Sequence, residues 1–160
     1  MKKYNCFPAG IKIKMSNGID KNIEDIVVGD VVTSFNISTK TLENKEVTNV
    51  YSRKSADFVE YEMENGIKLK CTEDHPIFTK NYELISQRPP DFYIYDGIES
   101  TDTNVEFASK GNVVYVTDGV TKTNIKEIKI IMPKIVNDTY IFTVMDNHNF
   151  FANEVLVHNE

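Results

Sequence analysis

Apolar and polar residues alternate in short runs along most of this chain, and a period of two is typical of β-strands with one buried face. Residues 11–15 alternate in this way, and Val59, Tyr61 and Met63 fall on one face of another predicted strand. Further strands are predicted within residues 67–71, 113–117, 125–144 and 155–157. No window keeps an apolar period of 3.6 residues over the ~11–18 residues that indicate a helix. The pattern therefore predicts an all-β fold.

Glycine-containing pairs separate several of these runs and predict hairpin turns. The pairs are Asn17-Gly18, Asn65-Gly66 and Asp118-Gly119. At residues 17–18 we expect both φ angles to be positive, because a tight two-residue hairpin turn requires this. Residues 23–26 predict one short helical turn, which ends at Gly29 before a strand resumes at Val31.

The composition fits a single globular domain and excludes several classes of protein. The 160 residues carry a formal charge of −6, from 18 Lys and Arg against 24 Asp and Glu, without a basic block. A nucleic-acid surface needs clustered basic residues, so we expect none. No apolar run approaches the ~20 residues that span a bilayer, and no signal peptide follows the basic start. We therefore expect a cytoplasmic monomer.

Residues 87–111 interrupt the β pattern. They include two consecutive prolines and a cluster of Ser, Thr, Asp and Asn. We interpret them as a loop-rich insertion between two β halves, because so short a segment cannot bury a core of its own. Each half contains an aromatic-rich strand followed by a histidine, which is His75 in the first half and His148 in the second.

Candidate chemistry comes from a few residues near both ends of the chain and at one predicted strand end. Thr72 and His75 stand three residues apart, where a hydroxyl and an imidazole can converge. His158 and Asn159 directly follow an apolar strand that would anchor them. Cys6 would need a neighbour such as His75 to become a reactive thiolate.

Four segments resemble, in order, the motifs of the hedgehog/intein (Hint) superfamily. They are Cys6 with residues 10–13 and 23–30, residues 66–75 with a T-x-x-H core, residues 140–152, and residues 155–159. T-x-x-H alone is weak evidence, but all four motifs in order form a specific pattern. The resemblance spans residues 6–159 apart from the variable middle, and all three histidines fall on motif positions.

The resemblance implies a disk-like or horseshoe β fold with pseudo-twofold halves, whose two ends meet at one active site. It implies that residues 6–159 form the splicing domain and that residues 1–5 and 160 are flanks. Residues 87–111 are far too short to contain a homing-endonuclease domain. The chain therefore resembles a minimal intein.

The activity implied by the resemblance is autocatalytic protein splicing, which needs neither a cofactor nor a metal. Cys6 would attack the carbonyl of Asn5 and convert the amide to a thioester. His75 would donate a proton to the leaving nitrogen, and Thr72 would polarise the carbonyl. The only partners required are the chain's own flanking segments, in cis.

The second implied step takes place at the other end of the domain. Asn159 would attack its own main-chain carbonyl through its side-chain amide, forming a succinimide and breaking the bond to Glu160. His148 and His158 are the expected proton-transfer groups. Because each step is intramolecular, orientation supplies much of the rate.

Two residues depart from the pattern of the superfamily. Splicing by the standard route needs Cys, Ser or Thr after Asn159, but Glu160 has no suitable nucleophile. Many relatives carry Asp where this chain has Ile141, so an acid that couples the two cleavages is missing unless Asp146 replaces it. These departures leave two hypotheses open: a splicing intein with an altered residue 160, or a bacterial-intein-like domain that cleaves its flanks without ligating them.

Alternatives from other classes also fit some of these residues. A Cys–His hydrolase acting on an external peptide or ester would leave its own mass intact. A hedgehog-type autoprocessing domain has no use for Asn159. In a non-enzymatic β module, mutation of Cys6, His75 or Asn159 would have no chemical consequence. A zinc ion on Cys6, His75 and His158 would occupy the nucleophile, so we interpret zinc as a possible inhibitor. The second cysteine, Cys71, continues a strand alternation and is assigned to the core.

Overall fold

A computed structural model describes residues 5–89, 93–95, 98–100 and 104–159. Within these residues the chain forms strands and two single turns of 3₁₀-helix, Ile23–Asp25 and Lys80–Tyr82. The strands are β1 (Phe7–Pro8), β2 (Lys12–Lys14), β3 (Asp20–Asn22), β4 (Val31–Asn36), β5 (Thr41–Ser55), β6 (Phe58–Met63), β7 (Lys68–Thr72), β8 (Ile77–Thr79), β9 (Glu83–Ser86), β10 (Tyr93–Tyr95), β11 (Ile98–Ser100), β12 (Val105–Phe107), β13 (Val113–Val116), β14 (Thr121–Ile130), β15 (Asn137–Val144), β16 (Asn149–Ala152) and β17 (Val155–His158). The prediction of an all-β fold is confirmed.

Two long strands tie the halves of the chain together. β5 is the second strand of the β4–β5 hairpin, and it pairs antiparallel with β15 from the other half. β14 is the second strand of the β13–β14 hairpin, and it pairs antiparallel with β6 from the first half. Each half therefore adds a hairpin to a strand of the other half, a reciprocal arrangement that agrees with the pseudo-twofold expectation.

The buried side chains form one large apolar cluster and one small one. The large cluster includes Cys6, Phe7, Cys71, Ile141 and Phe150, so it extends to the start of the domain at Cys6. Aromatic residues, with Leu156, make up the small cluster. Burial of this much apolar surface is the main stabilising contribution to the fold.

The turn at residues 17–18 differs from its prediction. Gly18 has φ +80°, but Asn17 is not among the residues with positive φ. The strands pair last at Lys14 and Asp20, so five residues connect them instead of two. In this longer loop Oδ1 of Asn17 accepts a hydrogen bond from the N–H of Ile19 at 2.9 Å, an Asx turn that leaves asparagine with negative φ.

Other predicted elements fall close to their expected places. The helical turn at residues 23–26 is the 3₁₀ turn Ile23–Asp25. Described parts of the 87–111 insertion form β10, β11 and β12, and β12 pairs in parallel with β9. Residues 90–92, 96–97 and 101–103 of that insertion, the first four residues of the predicted flank 1–5, and residue 160 lie outside the described residues. No helix in the described ranges has the length and hydrophobicity to cross a membrane.

Candidate functional site

Cys6 lies directly before β1 and is 1% exposed. Its N–H donates a hydrogen bond to Oγ1 of Thr72 at 3.0 Å, and its carbonyl accepts one from the N–H of Thr72 at 2.9 Å. Thr72 is the last residue of β7, so the end of this strand fixes the backbone at Cys6. Oγ1 of Thr72 thus contacts the nitrogen of the Asn5–Cys6 peptide bond, whereas we had expected it to act on the carbonyl.

His75 connects the two ends of the domain. The turn after β7 places it there, since its N–H donates to the carbonyl of Thr72 at 3.0 Å. The ring is buried, with Nε2 lying 2.8 Å from the carbonyl oxygen of His158. A carbonyl only accepts hydrogen bonds, so we assign the proton of the neutral ring to Nε2. Nδ1 is then an unprotonated acceptor, and it is buried without a hydrogen-bond partner among the described residues.

The electrostatic environment keeps His75 neutral at physiological pH. Burial lowers its pKa to about 3, although its hydrogen bond to the His158 carbonyl opposes this shift. The Asn5 backbone also raises this pKa, by less than the His158 hydrogen bond does. A neutral imidazole beside the Asn5–Cys6 bond can take a proton from a thiol and return it to a leaving nitrogen.

Asn159 is held by its backbone and not by its side chain. β17 pairs with β16 through His158 and Asn149, and the N–H of Asn159 donates to the carbonyl of His148 at 3.0 Å. The residue is 3% exposed, yet neither the oxygen nor the nitrogen of its side-chain amide has a hydrogen-bond partner within the described residues. A buried amide in this state costs roughly 1–3 kcal/mol, and no hydrogen bond to a described residue holds it away from its own carbonyl.

His148 and His158 lie within electrostatic reach of each other beside Asn159. Burial is the main cause that lowers the pKa of His158 to about 4, and the nearby His148 lowers it further. His148 has φ +50°, an uncommon backbone conformation for a histidine. The two imidazoles therefore lie at the end where proton transfer is expected.

Asn149 is a buried anchoring residue beside His148 that the sequence analysis missed. Its buried side chain accepts hydrogen bonds from Oγ of Ser34 at 2.7 Å and from the N–H of Phe35 at 2.8 Å, and it donates to the carbonyl of Phe35 at 2.9 Å. These bonds anchor the residue that follows His148. A polar residue directly before the apolar run 150–152 was the available signal.

Neither of the two third-motif positions considered for an acid presents a carboxylate to the site. Ile141 is 2% exposed and belongs to the large apolar cluster. The carboxylate of Asp146 lies at the surface, 2.9 Å from Nζ of Lys45. The structure therefore favours a site in which no aspartate takes this role.

The structure brings Cys6, Thr72 and His75 together and places the carbonyl of His158, the residue before Asn159, on the same imidazole. No group of three His, Cys, Asp or Glu side chains in the described part of the chain is arranged to hold a metal ion. Cys71 lies in the core, as expected, where burial raises the pKa of its thiol.

The buried His75 predicts a loss of stability in mild acid. Its folded pKa of about 3 lies below the ordinary value of 6.5, so the unfolded state binds the proton more tightly. Its contribution is complete above pH 6.5 and is lost as the pH falls toward 3. Between pH 7 and 5 we expect His75 to account for a decrease of about 2 kcal/mol in the free energy of unfolding.

Urea unfolding of a Cys6→Ala, Asn159→Ala protein at pH 7, 6 and 5 measures this decrease. The same measurement with the added change His75→Gln should show a shallower dependence on pH. Equal slopes with and without His75 would contradict the assignment, because carboxylates with ordinary pKa values stay mostly ionised in this range.

A family model and one protein relative match the chain in sequence. The family model described as the Hint module matches residues 1–149. Warthog protein 4 of Caenorhabditis elegans is 24% identical over 145 residues, which are 89% of this chain. The chain spans only 25% of the length of that protein.

Solved structures share the fold over nearly the whole chain. The bacterial intein-like domain from Clostridium thermocellum is 26% identical with a TM-score of 0.75, and the match covers 98% of this chain and 100% of that one. A DnaB intein from Synechocystis sp. PCC 6803 is 18% identical with a TM-score of 0.77, and the match covers 98% and 99%. From the match of the Hint module model over residues 1–149, together with this fold, we conclude that the chain belongs to the Hint family.

Proposed function

We propose that this chain is a self-processing domain that breaks the peptide bonds at its own two ends. The Hint fold supports self-processing in general terms. The more specific assignment depends on one observation. Nε2 of His75 lies 2.8 Å from the carbonyl oxygen of His158, the residue before Asn159, and the backbone of His75 is bonded to Thr72, which also holds Cys6. Cys6 and Asn159 are themselves buried, at 1% and 3% exposure. Reacting groups buried in this way suit flanks that are already part of the chain.

The first reaction moves the acyl group of Asn5 from nitrogen to sulfur. The thiol of Cys6 adds to the Asn5 carbonyl while its proton passes to Nδ1 of neutral His75. The imidazolium then returns this proton to the Cys6 nitrogen as the C–N bond breaks, which leaves a thioester and an amine. Thr72 supports this step because its hydroxyl already lies 3.0 Å from the nitrogen that leaves.

The second reaction closes a ring on Asn159. Its Nδ2 attacks its own carbonyl carbon, and the bond to Glu160 breaks as the departing nitrogen gains a proton. His158 and His148 exchange the protons, and the unbonded amide of Asn159 needs no hydrogen bond broken before it attacks. The N–H of Asn159 stays on the His148 carbonyl at 3.0 Å and holds the backbone in place.

Because Glu160 follows Asn159, we propose that the chain is cut at both ends and that its two flanks are not joined. Glutamate offers no thiol or hydroxyl to accept the acyl group from Cys6. The likeness to the bacterial intein-like domain from Clostridium thermocellum, at 26% identity, supports the bacterial-intein-like alternative. The partners are the flanking segments of the same chain.

The alternative of a hydrolase for external substrates fits the structure less well. A foreign peptide would have to displace the packed segment at Cys6, where Phe7 is 0% exposed and its ring lies 4.3 Å from that of His75. The mass of the protein separates the two functions. Self-processing shortens the chain, whereas a hydrolase keeps its own mass.

Dithiothreitol treatment tests the proposed thioester. A thiol reagent should release residues 1–5, because it intercepts the acyl group on Cys6, and mass spectrometry should detect both pieces. Cys6→Ala should release nothing, while Cys71→Ala is the matched control that removes a thiol from the core and keeps the reaction. Release from Cys6→Ala at the same rate would refute the proposed thioester.

A further inference from the structure

The side chain of Asn5 lies against the carboxylate of Asp74. With the amide nitrogen facing the acid, Nδ2 of Asn5 donates to the two carboxylate oxygens at 3.0 and 3.2 Å. Asn5 carries the carbonyl that Cys6 attacks in the proposed reaction, and Asp74 directly precedes His75. An acidic side chain therefore contacts the residue on the acyl side of the processed bond.

The charge of the Asp74 carboxylate also affects a buried thiol in the protein interior. Its charge adds to burial in raising the pKa of the Cys71 thiol, which lies in the core. The neighbouring acid behaves differently, because Oε1 of Glu73 pairs with Nη1 of Arg88 at 2.9 Å. Of these two adjacent acids, only Asp74 has a described contact with Asn5.

We propose that Asp74 selects the side chain of the residue that precedes the processed bond. It favours side chains that donate a hydrogen bond to a carboxylate, namely amides and cations, and it disfavours carboxylates. A charge-assisted hydrogen bond would hold this residue beside Cys6, and a second carboxylate in the same place would be repelled. This inference rests on the proposed function and specifies which flanking segments the domain releases.

A matrix of substitutions tests this selection in the full chain. Residue 5 is varied as Asn5→Lys, Asn5→Ala and Asn5→Asp, each with and without Asp74→Asn. The measurement is the initial rate of dithiothreitol-dependent release of residues 1–5. With Asp74 present, Asn5→Asp should release about tenfold more slowly than Asn5 or Asn5→Lys, the size expected for one charge-assisted hydrogen bond.

In Asp74→Asn the ranking should change, so that Asn5→Asp regains its rate and Asn5→Lys loses its advantage. Glu73→Gln is the matched control, since it neutralises the adjacent acid and should preserve the original ranking. If Asp74→Asn lowers the rates of all residue-5 variants by one common factor, Asp74 serves the reaction itself and the proposal is overturned.

A second experiment tests the contact between Asp74 and Asn5 even if no thioester forms. In a Cys6→Ala protein that retains residues 1–5, nuclear magnetic resonance reports the side-chain amide protons of Asn5. These should shift on Asp74→Asn and stay in place on Glu73→Gln. A shift supports recognition of Asn5 by Asp74 independently of the chemistry, whereas no shift with either variant overturns it.

Discussion

Asn159→Ala is expected to abolish cleavage after residue 159, whereas Cys6→Ala is expected to leave that cleavage intact. The amide nitrogen of Asn159 is the proposed nucleophile, and alanine offers none. Cys6 takes part only at the other end, where a different nitrogen leaves. The two cleavages should therefore be separable, although both segments contact His75.

A fusion of the chain with a folded reporter after Glu160 makes this cleavage visible by electrophoresis. Asn137→Ala is the matched control, because it removes an exposed asparagine from β15. His158→Ala should slow cleavage, by the ~10²–10⁴-fold that loss of a general acid–base group typically costs. If cleavage after residue 159 disappears in Cys6→Ala, the two cleavages are not independent of each other. An unchanged rate in His158→Ala would remove that residue from the mechanism.

The pattern of apolar residues predicts the buried strands well and the exposed ones poorly. β6 was predicted because Val59, Tyr61 and Met63 are all fully buried on one face. β5 was missed over its fifteen residues because Val47 is its only buried side chain. Its backbone is satisfied by pairing with β4 and β15, and β15 is almost a hundred residues away in sequence. Alternation of apolar and polar residues reports burial, so it cannot detect an exposed strand that is held by hydrogen bonds to neighbouring strands.

The same distinction separates the predicted site residues from the missed ones. Cys6, His75 and Asn159 stand on motifs that can be found in the sequence alone. Asn149 acquires its role from Ser34, 115 positions away, and Asp74 acquires its contact from Asn5 at the start of the chain. A local pattern does not contain these pairings, because the fold creates them.

Glu160→Cys is expected to convert a domain that only cleaves into one that ligates its flanks. The hydrogen bond between His75 and the His158 carbonyl at 2.8 Å holds the two ends of the domain together. Asn159, which precedes residue 160 by one peptide unit or ~3.8 Å between α-carbons, is buried in this site at 3% exposure. A cysteine thiol with a pKa of about 8.5 is a few per cent thiolate at neutral pH, enough to accept the acyl group.

The experiment places the chain between two folded reporter proteins and follows ligation by electrophoresis and mass spectrometry. Glu160→Ala is the matched control, because it removes the carboxylate without adding a nucleophile and should still give two cleavages. Glu160→Ser should ligate more slowly than Glu160→Cys, since a hydroxyl is a weaker nucleophile. Adding Cys6→Ala to Glu160→Cys should stop ligation, because no acyl group then reaches sulfur.

If Glu160→Cys still yields separate cleavage products, residue 160 is not the only obstacle and Ile141 is the next residue to change. Ile141 is 2% exposed within the apolar cluster, so Ile141→Asp would bury a carboxylate that has no partner there. Such a charge costs several kcal/mol unless it is paired or protonated. Ile141→Asn, which carries no charge, is the control for this cost. Ligation gained in Ile141→Asp but not in Ile141→Asn would assign the missing step to an acid. Loss of folding in both would show that this buried position does not accept a polar side chain, which would rule out a coupling acid there.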